Sequence, residues 1–555
     1  MANENEATFP LDEPVDFVIV GSGSAGGIIA KELSTNGFKV VVLEQGPYRK
    51  ATDFRHDELA VNYLGELTGG DHHANQQTFR NDASKVAEVR TTQPAYYAQG
   101  VGGSSVHFTA NFWRLRESDF KERSMLGPIS GTNFADWPIS YAELEPYYTK
   151  VDWDIGVSGA PGPFDSFRSR PFPMPPIPIK SSGVLMERGA AKMGWKAQVE
   201  PLAILSRPHN GRPACINCGF CMGYGCEVGA KSSTLFAMIP LAEASGNCEI
   251  RAECAVFRIE TGAQGRADEV LYYDTDGNER SQKARAVILS ANGAETPRLL
   301  LNSASDAHPD GLANSSGFVG RNLMWNSHSG TQALFEHPLN DFKGVQVTRM
   351  LHEFYETDSA RGFYGGGGID ARPLTAAVPI QYADDGAPPG YPRWGAEYKA
   401  NLEHNFTRSV AVLCGATSLA QDRNNVTIDP THKDRWGRPS MRITYKDHDD
   451  DMAIAKFLQD RSMELLDAAG AEKSWRMRIH NQSRGAHLLG TCRMGDDPQS
   501  SVVDKYHRSH DVPNLFLCDG SSFVTSGRGQ PTMTIMALAF RAAENIGAAA
   551  RNNEI

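Results

Sequence analysis

Four cysteines lie close together in the stretch CINCGFCMGYGCEVGAK, which runs from Cys215 to Lys231. Cys215, Cys218, Cys221 and Cys226 have the spacing C-x2-C-x2-C-x4-C, and thiolates so closely spaced are typical of iron–sulfur ligation. Zinc is a weaker alternative because the stretch contains no histidine. Disulfides would need an oxidising compartment, and reduced thiols could simply shape a loop. The spacing alone leaves these alternatives open.

A glycine-rich loop near the start of the chain has the spacing of a dinucleotide-binding site. The strand-like VDFVIV leads into GSGSAGG, in which Gly21, Gly23 and Gly26 form G-x-G-x-x-G, and an apolar helical pattern follows. The first glycine permits a tight turn, the second lets the backbone approach a pyrophosphate, and the third allows helix and strand to pack. Glu44 ends the next strand-like run, KVVVLE, where a carboxylate can accept hydrogen bonds from ribose hydroxyls. We predict that this loop, including Ser24, binds a dinucleotide; the motif does not distinguish NAD from FAD.

The composition limits the classes to which the protein can belong. The chain has 555 residues, 40% hydrophobic and 22% charged, as expected for a globular protein of two packed domains. A formal net charge of −11 argues against nucleic acid or an anionic membrane surface as a partner. No apolar run is long enough to span a membrane, and MANENEATFPLDEP lacks the features of a signal peptide. We therefore predict a cytoplasmic protein without direct membrane insertion, which would be periplasmic only if an exported partner carried it.

Five further segments resemble, in order, those of the glucose–methanol–choline (GMC) flavoprotein oxidoreductases. They are QGVGGSSVHFTANFWR, ANGAETPRLLLNSA, NNVTIDPTHKDRWGRP, GAHLLGTCRMG and NLFLCDGSSFVTSGRGQPTMTIMALAFRAAENI. Within the family, the stretches DWPISYAELEPYYTKVDWDIGVSG, FPMPPIP and SRPHNGRPAC look most like the catalytic subunits of bacterial FAD-dependent glucose, gluconate, fructose and sorbitol dehydrogenases. The resemblance covers nearly the whole chain and implies that the dinucleotide is FAD.

The resemblance also implies an α/β fold, with a Rossmann-like FAD-binding domain and a substrate domain whose antiparallel sheet lies under helices. The FAD-binding domain is expected in three parts, residues 1–130, 241–325 and 486–555, the last also catalytic. A cap with the cysteine-rich segment is expected in residues 131–240, and the substrate-binding domain in residues 326–485.

Two of the family segments are implied to surround the flavin. In the first, glycines let the backbone pass close to a flat ring, and serine hydroxyls lie beside it. In the last, a helix that begins near Pro531 points its N-terminus at the pyrimidine edge, where it stabilises the anionic reduced ring. The residues implied to bind FAD are Gly102, Gly103, Ser104, Ser105, His107, Asp519, Gly520, Pro531 and Thr532.

Two residues are implied to act on the substrate. Flavin-dependent oxidation of an alcohol sends the carbinol hydride to flavin N5 and needs a base for the hydroxyl proton, preferably with a pKa near neutrality. The family's catalytic histidine matches His487 in GAHLLGTCRMG. The family's second residue, usually His or Asn, is replaced here by Gln530, which we expect to orient the substrate hydroxyl. The alternative is that Gln530 caps the helix and His487 acts alone.

Two further features are implied by particular relatives. His107 in GGSSVHF has the spacing at which pyranose-oxidase-like members bond the flavin through its 8α-methyl group, so covalent FAD is expected there, with noncovalent contact as the alternative. Some sugar dehydrogenases bind a three-iron cluster through three cysteines, in the segment that corresponds to the one containing Cys215, Cys221 and Cys226 in this chain. The present chain departs from their spacing by a longer final gap and the extra Cys218.

The implied function is FAD-dependent oxidation of a secondary or hemiacetal alcohol on a sugar, polyol or glycoside. A bulkier alcohol (sterol, terpenoid or aryl) oxidised with O2 is one alternative. A non-catalytic flavin electron-transfer or scaffold subunit is another. Beside the small-molecule alcohol, the expected partners are a small chaperone-like subunit and a cytochrome c subunit. The substrate contacts are expected between about Asn326 and Trp475.

Overall fold

The computed structural model describes residues 8–68, 76–90, 92–262, 264–372 and 378–555. Its strands are β1 (Val15–Val20), β2 (Val40–Leu43), β3 (Gln77–Arg80), β4 (Glu88–Val89), β5 (Ala197–Val199), β6 (Cys248–Arg251), β7 (Ala255–Thr261), β8 (Ala267–Tyr273), β9 (Glu279–Leu289), β10 (Ser327–Leu334), β11 (Arg349–Leu351), β12 (Gly367–Asp370), β13 (Ser409–Ala416), β14 (Asn425–Lys433), β15 (Pro439–Thr444), β16 (Lys473–Arg476) and β17 (Leu515–Leu517). Its helices are α1 (Gly26–Thr35), α2 (Glu122–Leu126), α3 (Tyr141–Val151), α4 (Ser181–Met193), α5 (Thr234–Ala237), α6 (Ile239–Ala244), α7 (Glu295–Asn302), α8 (Pro379–Gln381), α9 (Gly395–Phe406), α10 (Asp449–Ala469) and α11 (Thr532–Arg551).

The first sheet has the strand order β6–β2–β1–β9–β8–β7, and β17 also pairs with β9. Its centre, from β6 to β17, is parallel, and β8 and β7 continue it antiparallel. Apart from Asp16, the strands β1 (VDFVIV) and β2 (VVVL) are apolar and buried, as a parallel sheet covered on both faces requires. The predicted strand–turn–helix around the glycine motif is confirmed, with α1 following β1 and packing beside α11.

The second sheet has the order β16–β10–β13–β12–β11–β5 and is antiparallel throughout. Successive side chains of a strand point to opposite faces, so one face of β13 carries Val410, Val412 and Cys414. These side chains form an apolar core with α4 and α10. The predicted antiparallel sheet under helices is therefore confirmed.

The opposite face of the second sheet carries polar groups. Leu413 of β13 points to this face, and Asp370 of β12 stands directly opposite Leu413. His328 of β10 stands opposite Gly415, two residues further along β13. Because directly opposed residues share a face, His328, Leu413 and Asp370 lie on the same side of the sheet.

A third sheet has the order β14–β15–β3–β4. The strand β5 comes from the stretch assigned to the cap but belongs to the second sheet, and the domain boundaries stay predictions. The five cysteines outside the cysteine-rich stretch are free thiols and buried: Cys248, Cys254, Cys414, Cys492 and Cys518. Among the described helices, none combines the length and apolar character needed to cross a membrane.

Candidate active site

A cavity of about 730 Å³ lies where the carboxyl ends of the parallel strands meet the polar face of the second sheet. Val20 at the end of β1, Glu44 after β2 and Ser290 after β9 line one part of it. His328 and Leu413 of the second sheet line the other. Ligands of open parallel sheets bind at the carboxyl ends of the strands, so this position marks the cavity as the candidate site.

The glycine loop meets a second glycine pair by direct backbone contact. Gly103 has φ +54°, and a Cβ on it would come within 2.8 Å of the Cα of Gly23. A Cβ on Gly26 would lie 1.9 Å from the carbonyl oxygen of Gly21, so a side chain there would separate α1 from the loop. Gly23 itself is open on the cavity side, since the nearest atom to its Cβ position is 3.8 Å away. The two loops therefore form a groove with a bare backbone wall.

Glu44 lies at this groove and also holds the loop in place. Its Oε2 accepts hydrogen bonds from the backbone N–H and the hydroxyl of Ser22, and its Oε1 accepts one from the Gly46 N–H. The Ser22 hydroxyl in turn accepts a hydrogen bond from the Gly102 N–H at 3.1 Å. Burial raises the pKa of Glu44, and these hydrogen bonds oppose the increase.

The other predicted cofactor-binding residues divide into two groups. Gly26 and Gly102 pack behind the cavity wall, and the Ser105 hydroxyl, although at the wall, donates to the Gly102 carbonyl. The Asp519 carboxylate also has its hydrogen-bond partners within the protein, since it accepts hydrogen bonds from the Asn292 and Ser521 N–H groups. The predicted residues that line the cavity are Gly21, Gly23, Ser24, Glu44, Gly103, Ser104, Ser105, His107, Asp519, Gly520, Pro531 and Thr532.

His107 is buried and lines the cavity beside Tyr96, with the two ring centroids 5.5 Å apart. Its carbonyl oxygen accepts a hydrogen bond from the Gly223 N–H, which joins it to the cysteine-rich loop. Burial lowers the pKa of His107 to about 3, and the nearby Lys231 and Arg484 cations contribute. Its imidazole is therefore neutral at physiological pH.

His487 lines the cavity and contacts Asn326, with 3.0 Å between His487 Nδ1 and Asn326 Oδ1. The Asn326 amide nitrogen donates to the carbonyl oxygens of Ala416, Ser526 and Gly527, so its Oδ1 must be the atom that faces His487. A carbonyl oxygen only accepts, and Nδ1 therefore carries the proton. This tautomer leaves His487 Nε2 with a free lone pair.

The charge environment keeps His487 neutral. Burial lowers its pKa well below the ordinary value, and the nearby His328 and Arg372 lower it further. The His328 ring lies 5.4 Å from the His487 ring, and burial beside Arg372 lowers the pKa of His328 to about 4. The imidazole that was expected to have a pKa near neutrality therefore has a strongly lowered pKa.

Gln530 lines the cavity next to the start of α11. The N-cap of α11 is Pro531, and no side chain bonds to this cap, so the alternative role of Gln530 as the helix cap is not supported. Two contacts fix the preceding loop. Gly529, with φ +117°, passes so close to β13 that its Cβ would lie 3.2 Å from the Cα of Gly415, and the buried Arg528 pairs with Glu122.

Comparison with known proteins identifies the family. A GMC oxidoreductase family model matches residues 15–327, and a second one matches residues 420–539. The chain belongs to the GMC oxidoreductase family. It is 36% identical over 540 residues to the 2-methyl-1,2-propanediol dehydrogenase of Mycolicibacterium austroafricanum, covering 96% of this chain and 95% of that one. It is 30% identical over 553 residues to the fructose dehydrogenase large subunit of Gluconobacter japonicus, covering 96% and 97%.

The fold agrees with this assignment. A formate oxidase from Aspergillus oryzae RIB40, solved to study FAD modification, matches with a TM-score of 0.68 at 16% identity, covering 99% of this chain and 100% of that one. The predicted α/β fold and the family resemblance are confirmed, and the protein is an FAD-dependent oxidoreductase. FAD fits the cavity of this GMC oxidoreductase, because the bare groove at Gly23 can take a pyrophosphate and the N-terminus of α11 points at the cavity.

The four clustered cysteines lie in a loop beside His107 rather than in the cavity wall. In the described part of the chain, no group of three or more His, Cys, Asp or Glu side chains is arranged to hold a metal ion. Burial raises the pKa of Cys221 to about 12, so this thiol is protonated in the metal-free protein. The buried Lys231 ammonium instead ties the loop together by donating to the carbonyl oxygens of Phe108, Cys221 and Tyr224.

These contacts support the alternative in which reduced thiols shape a loop. None of the four clustered cysteines forms a disulfide; Cys221 is buried and Cys218 is exposed. The arrangement does not fit an iron–sulfur cluster, and ligation by Cys215, Cys218, Cys221 and Cys226 stays a prediction.

Sequence reasoning missed several residues of the site: Asn326, His328, Arg372 and Asn111. Asn111 lies in the family segment QGVGGSSVHFTANFWR but was given no role there, and Asn326, His328 and Arg372 lie in the stretch from about Asn326 to Trp475 in which substrate contacts were expected without named residues. The nearest sequence signal is WNSHSG, where Asn326 adopts φ +59°, a backbone conformation that asparagine tolerates better than most residues. No motif marks Arg372.

Proposed function

We propose that this GMC oxidoreductase oxidises an alcohol group of a sugar, polyol or related glycoside, with His487 as the base and Gln530 orienting the hydroxyl. The observation that carries the proposal is the contact from His487 Nδ1 to Asn326, because it leaves Nε2 unprotonated at the cavity. The lowered pKa of His487 supports the same role, since only the neutral imidazole can accept a proton.

The substrate loses a hydride and a proton and becomes a carbonyl compound. Bound FAD supplies the hydride acceptor. His487 Nε2 accepts the hydroxyl proton, and Asn326 stays bonded to Nδ1 and stabilises the resulting imidazolium. The Gln530 amide is able to donate to the substrate oxygen and to accept from it, so it holds the carbinol in one orientation.

The experiment is anaerobic reduction of the flavin by a panel of sugars, polyols, sterols and aryl alcohols. A sugar or polyol should bleach the flavin absorption. Bleaching by sterols or aryl alcohols alone would favour the bulkier-alcohol alternative. No bleaching by any alcohol would favour a non-catalytic flavin subunit and contradict the proposal.

We propose further that FAD is bonded covalently through its 8α-methyl group to His107. The buried, neutral imidazole at the cavity supports this, because an unprotonated ring nitrogen is needed to form the bond. After acid precipitation, the yellow colour should stay with the pellet of the wild type and move to the supernatant for His107→Ala. Free flavin released from the wild type would contradict covalent attachment.

We also propose that the chain passes its electrons to a protein partner, as the large subunit of a complex with a small chaperone-like subunit and a cytochrome c subunit. The name of the fructose dehydrogenase large subunit supports an assembly of unequal subunits. The exposed Ile216 and Cys218, in the loop that contacts His107, offer a surface close to the cavity. Since the cysteines do not fit a cluster, the proposal passes no electron through one, and iron analysis of anaerobically purified protein tests that point.

A further inference from the structure

The loop before α11 carries two long polar side chains that lie in different places. Gln530 lines the cavity, whereas Arg528 is 1% exposed and lies inside the protein. Two glycines shape the loop: Gly527 has φ +62° and Gly529 has φ +117°, both in the left-handed region that favours glycine. Only Gly529 separates Arg528 from Gln530, so the position of Arg528 limits where the Gln530 amide can lie.

The Arg528 guanidinium is held by two partners. Nη1 donates to Glu122 Oε2 at 3.2 Å, and Nη2 donates to Glu122 Oε1. Nε donates to the Tyr355 carbonyl oxygen at 2.8 Å. A planar guanidinium bound to both oxygens of one carboxylate is fixed in orientation as well as in position. We name Arg528, Glu122 and Tyr355 the guanidinium clamp.

Further contacts hold the partners of Arg528 in place. The Tyr364 hydroxyl donates to Glu122 Oε2 at 2.7 Å, and the Tyr355 hydroxyl donates to Asp119 Oδ2 at 2.6 Å. Burial raises the pKa of Asp119 to about 6, and the Arg528 cation opposes the increase. The guanidinium clamp therefore joins three parts of the chain: the loop before α11, the connection between β11 and β12, and the segment around α2.

Packing alone does not explain a charged clamp at this place. A buried ion pair often stabilises a protein no more than apolar side chains of similar volume would, because its charges lose their hydration. What the clamp provides is a single geometry. Gln530 needs a fixed backbone, because its side chain has one more rotatable bond than asparagine and more rotamer freedom to lose. A misplacement of about 1 Å at a reacting group can cost about 10²-fold in rate.

The contact that holds His487 has separate support. Asn326, which bonds to His487, donates to the Ala416 carbonyl of β13 at 3.0 Å as well as to two carbonyls of the loop. A change at Arg528 should therefore act mainly on the Gln530 end of the loop.

We propose that Arg528 is a positioning residue for Gln530: the guanidinium clamp fixes the backbone from which the Gln530 amide reaches the substrate hydroxyl. This proposal rests on the proposed function, in which Gln530 orients the alcohol. Because Arg528 is enclosed by its partners, its effect on the reaction passes through Gln530, and the effect should disappear when the Gln530 amide is absent.

The experiment is a double-mutant cycle on the reduction of the flavin, without oxygen, by the alcohol that reduces the wild type fastest. Arg528→Lys keeps the positive charge but cannot form the forked pair, so the rate constant at saturating alcohol should fall about tenfold. Gln530→Ala should lower the rate constant about tenfold as well. When Gln530 is already alanine, Arg528→Lys should lower it less than about twofold further. FAD content should be equal in all four proteins.

Arg114→Lys is the matched control. Arg114 is also buried between carboxylates, with Nη1 2.9 Å from Glu145 and Nη2 2.6 Å from Asp152, and these partners belong to α3 and the turn that follows it. The variant should lose stability in thermal unfolding, as Arg528→Lys does, and keep the wild-type rate constant. An equal fall in the rate constant would show that the loss of any buried pair has this effect, and would overturn the proposal.

The outcomes separate the positioning role from the proposed function. If Gln530→Ala is reduced as fast as the wild type, the proposed role of Gln530 fails and the positioning role fails with it. If Gln530→Ala is slow, two results overturn the positioning role alone: a wild-type rate constant in Arg528→Lys, or a fall by the same factor with and without the Gln530 amide.

A milder variant decides the matter if Arg528→Lys does not fold. Glu122→Gln keeps the size of the side chain but gives up one of the two oxygens that accept from Arg528. The rate constant should fall about threefold, and this fall should be absent when it is combined with Gln530→Ala. An unchanged rate constant, or an equal fall in both cases, would overturn the proposal.

Discussion

The two ends of the cavity are built in different ways. At the nucleotide end, short stretches of backbone touch each other, as where Gly103 meets Gly23 and where Gly26 meets the Gly21 carbonyl. At the substrate end, the side chains belong to strands and loops that are far apart in the sequence. His328 lies in β10 and His487 follows β16, yet their rings are 5.4 Å apart. Close backbone contacts require glycine at fixed positions, whereas polar side chains at a cavity surface can be of many residue types.

The ends also differ in how they treat charge. Carboxylates at the nucleotide end, Glu44 and Asp519, accept hydrogen bonds from backbone N–H groups. At the substrate end, burial keeps His328 and His487 neutral. The first end therefore holds its carboxylates with backbone N–H groups, whereas the second keeps two neutral imidazoles side by side.

The largest effect is expected where backbone contact is tightest. Gly26→Ala places a Cβ 1.9 Å from the Gly21 carbonyl oxygen, so α1 must move away from the loop, at a cost of about 1–3 kcal/mol or more. The purified variant should lack FAD, measured as flavin absorption per protein, and therefore all activity. Gly547→Ala is the matched control in α11, since its Cβ meets only ordinary contacts at 3.5 Å or more. Full FAD content in Gly26→Ala would contradict this account of the groove.

A smaller effect is expected at the residue that sets the tautomer of His487. Asn326→Gly keeps the left-handed backbone but removes the acceptor for Nδ1, so kcat should fall about tenfold or more while FAD content stays unchanged. Asn340→Gly is the matched control, because Asn340 has φ +51° and is exposed. Equal kcat for wild type and Asn326→Gly would show that the contact does not matter.

The smallest effect is a displaced pH profile. An unperturbed histidine base would lose half its activity near about pH 6.5. Because the pKa of His487 is lowered, its neutral form persists to lower pH. On acidification, kcat/KM should therefore begin to fall only below the ordinary histidine pKa of about 6.5. The profile of kcat/KM against pH measures this, and an acid limb centred near the ordinary histidine value would contradict the described environment.

The sequence predicted the nucleotide end in detail. The glycine motif, the strand β1 before it and the helix α1 after it are confirmed by the structure, and Glu44 lies at the cavity. The start of α11 at Thr532 also agrees with the prediction. These features are local in sequence, and local backbone geometry restricts residue type strongly, so a single sequence is enough.

The substrate end was predicted only through the resemblance. The chain has 16 histidines, and no spacing rule separates His487 from the others. Asn326, His328 and Arg372 were missed because their proximity depends on strand register, which the sequence does not state. For the cysteines the spacing indicates a metal site that stays a prediction, and what the structure adds is that Lys231 holds their loop through carbonyl oxygens.

The most direct test of the account is single-turnover reduction of the flavin by its best alcohol substrate, without oxygen, in wild type and His487→Ala. FAD content and the rate constant for reduction are measured on the same samples. The account predicts equal FAD content, because His487 lies at the substrate end, and a rate constant lower by about 10²–10⁴, the usual contribution of a general base. A His487→Ala protein that holds FAD and is reduced at nearly the wild-type rate would contradict it.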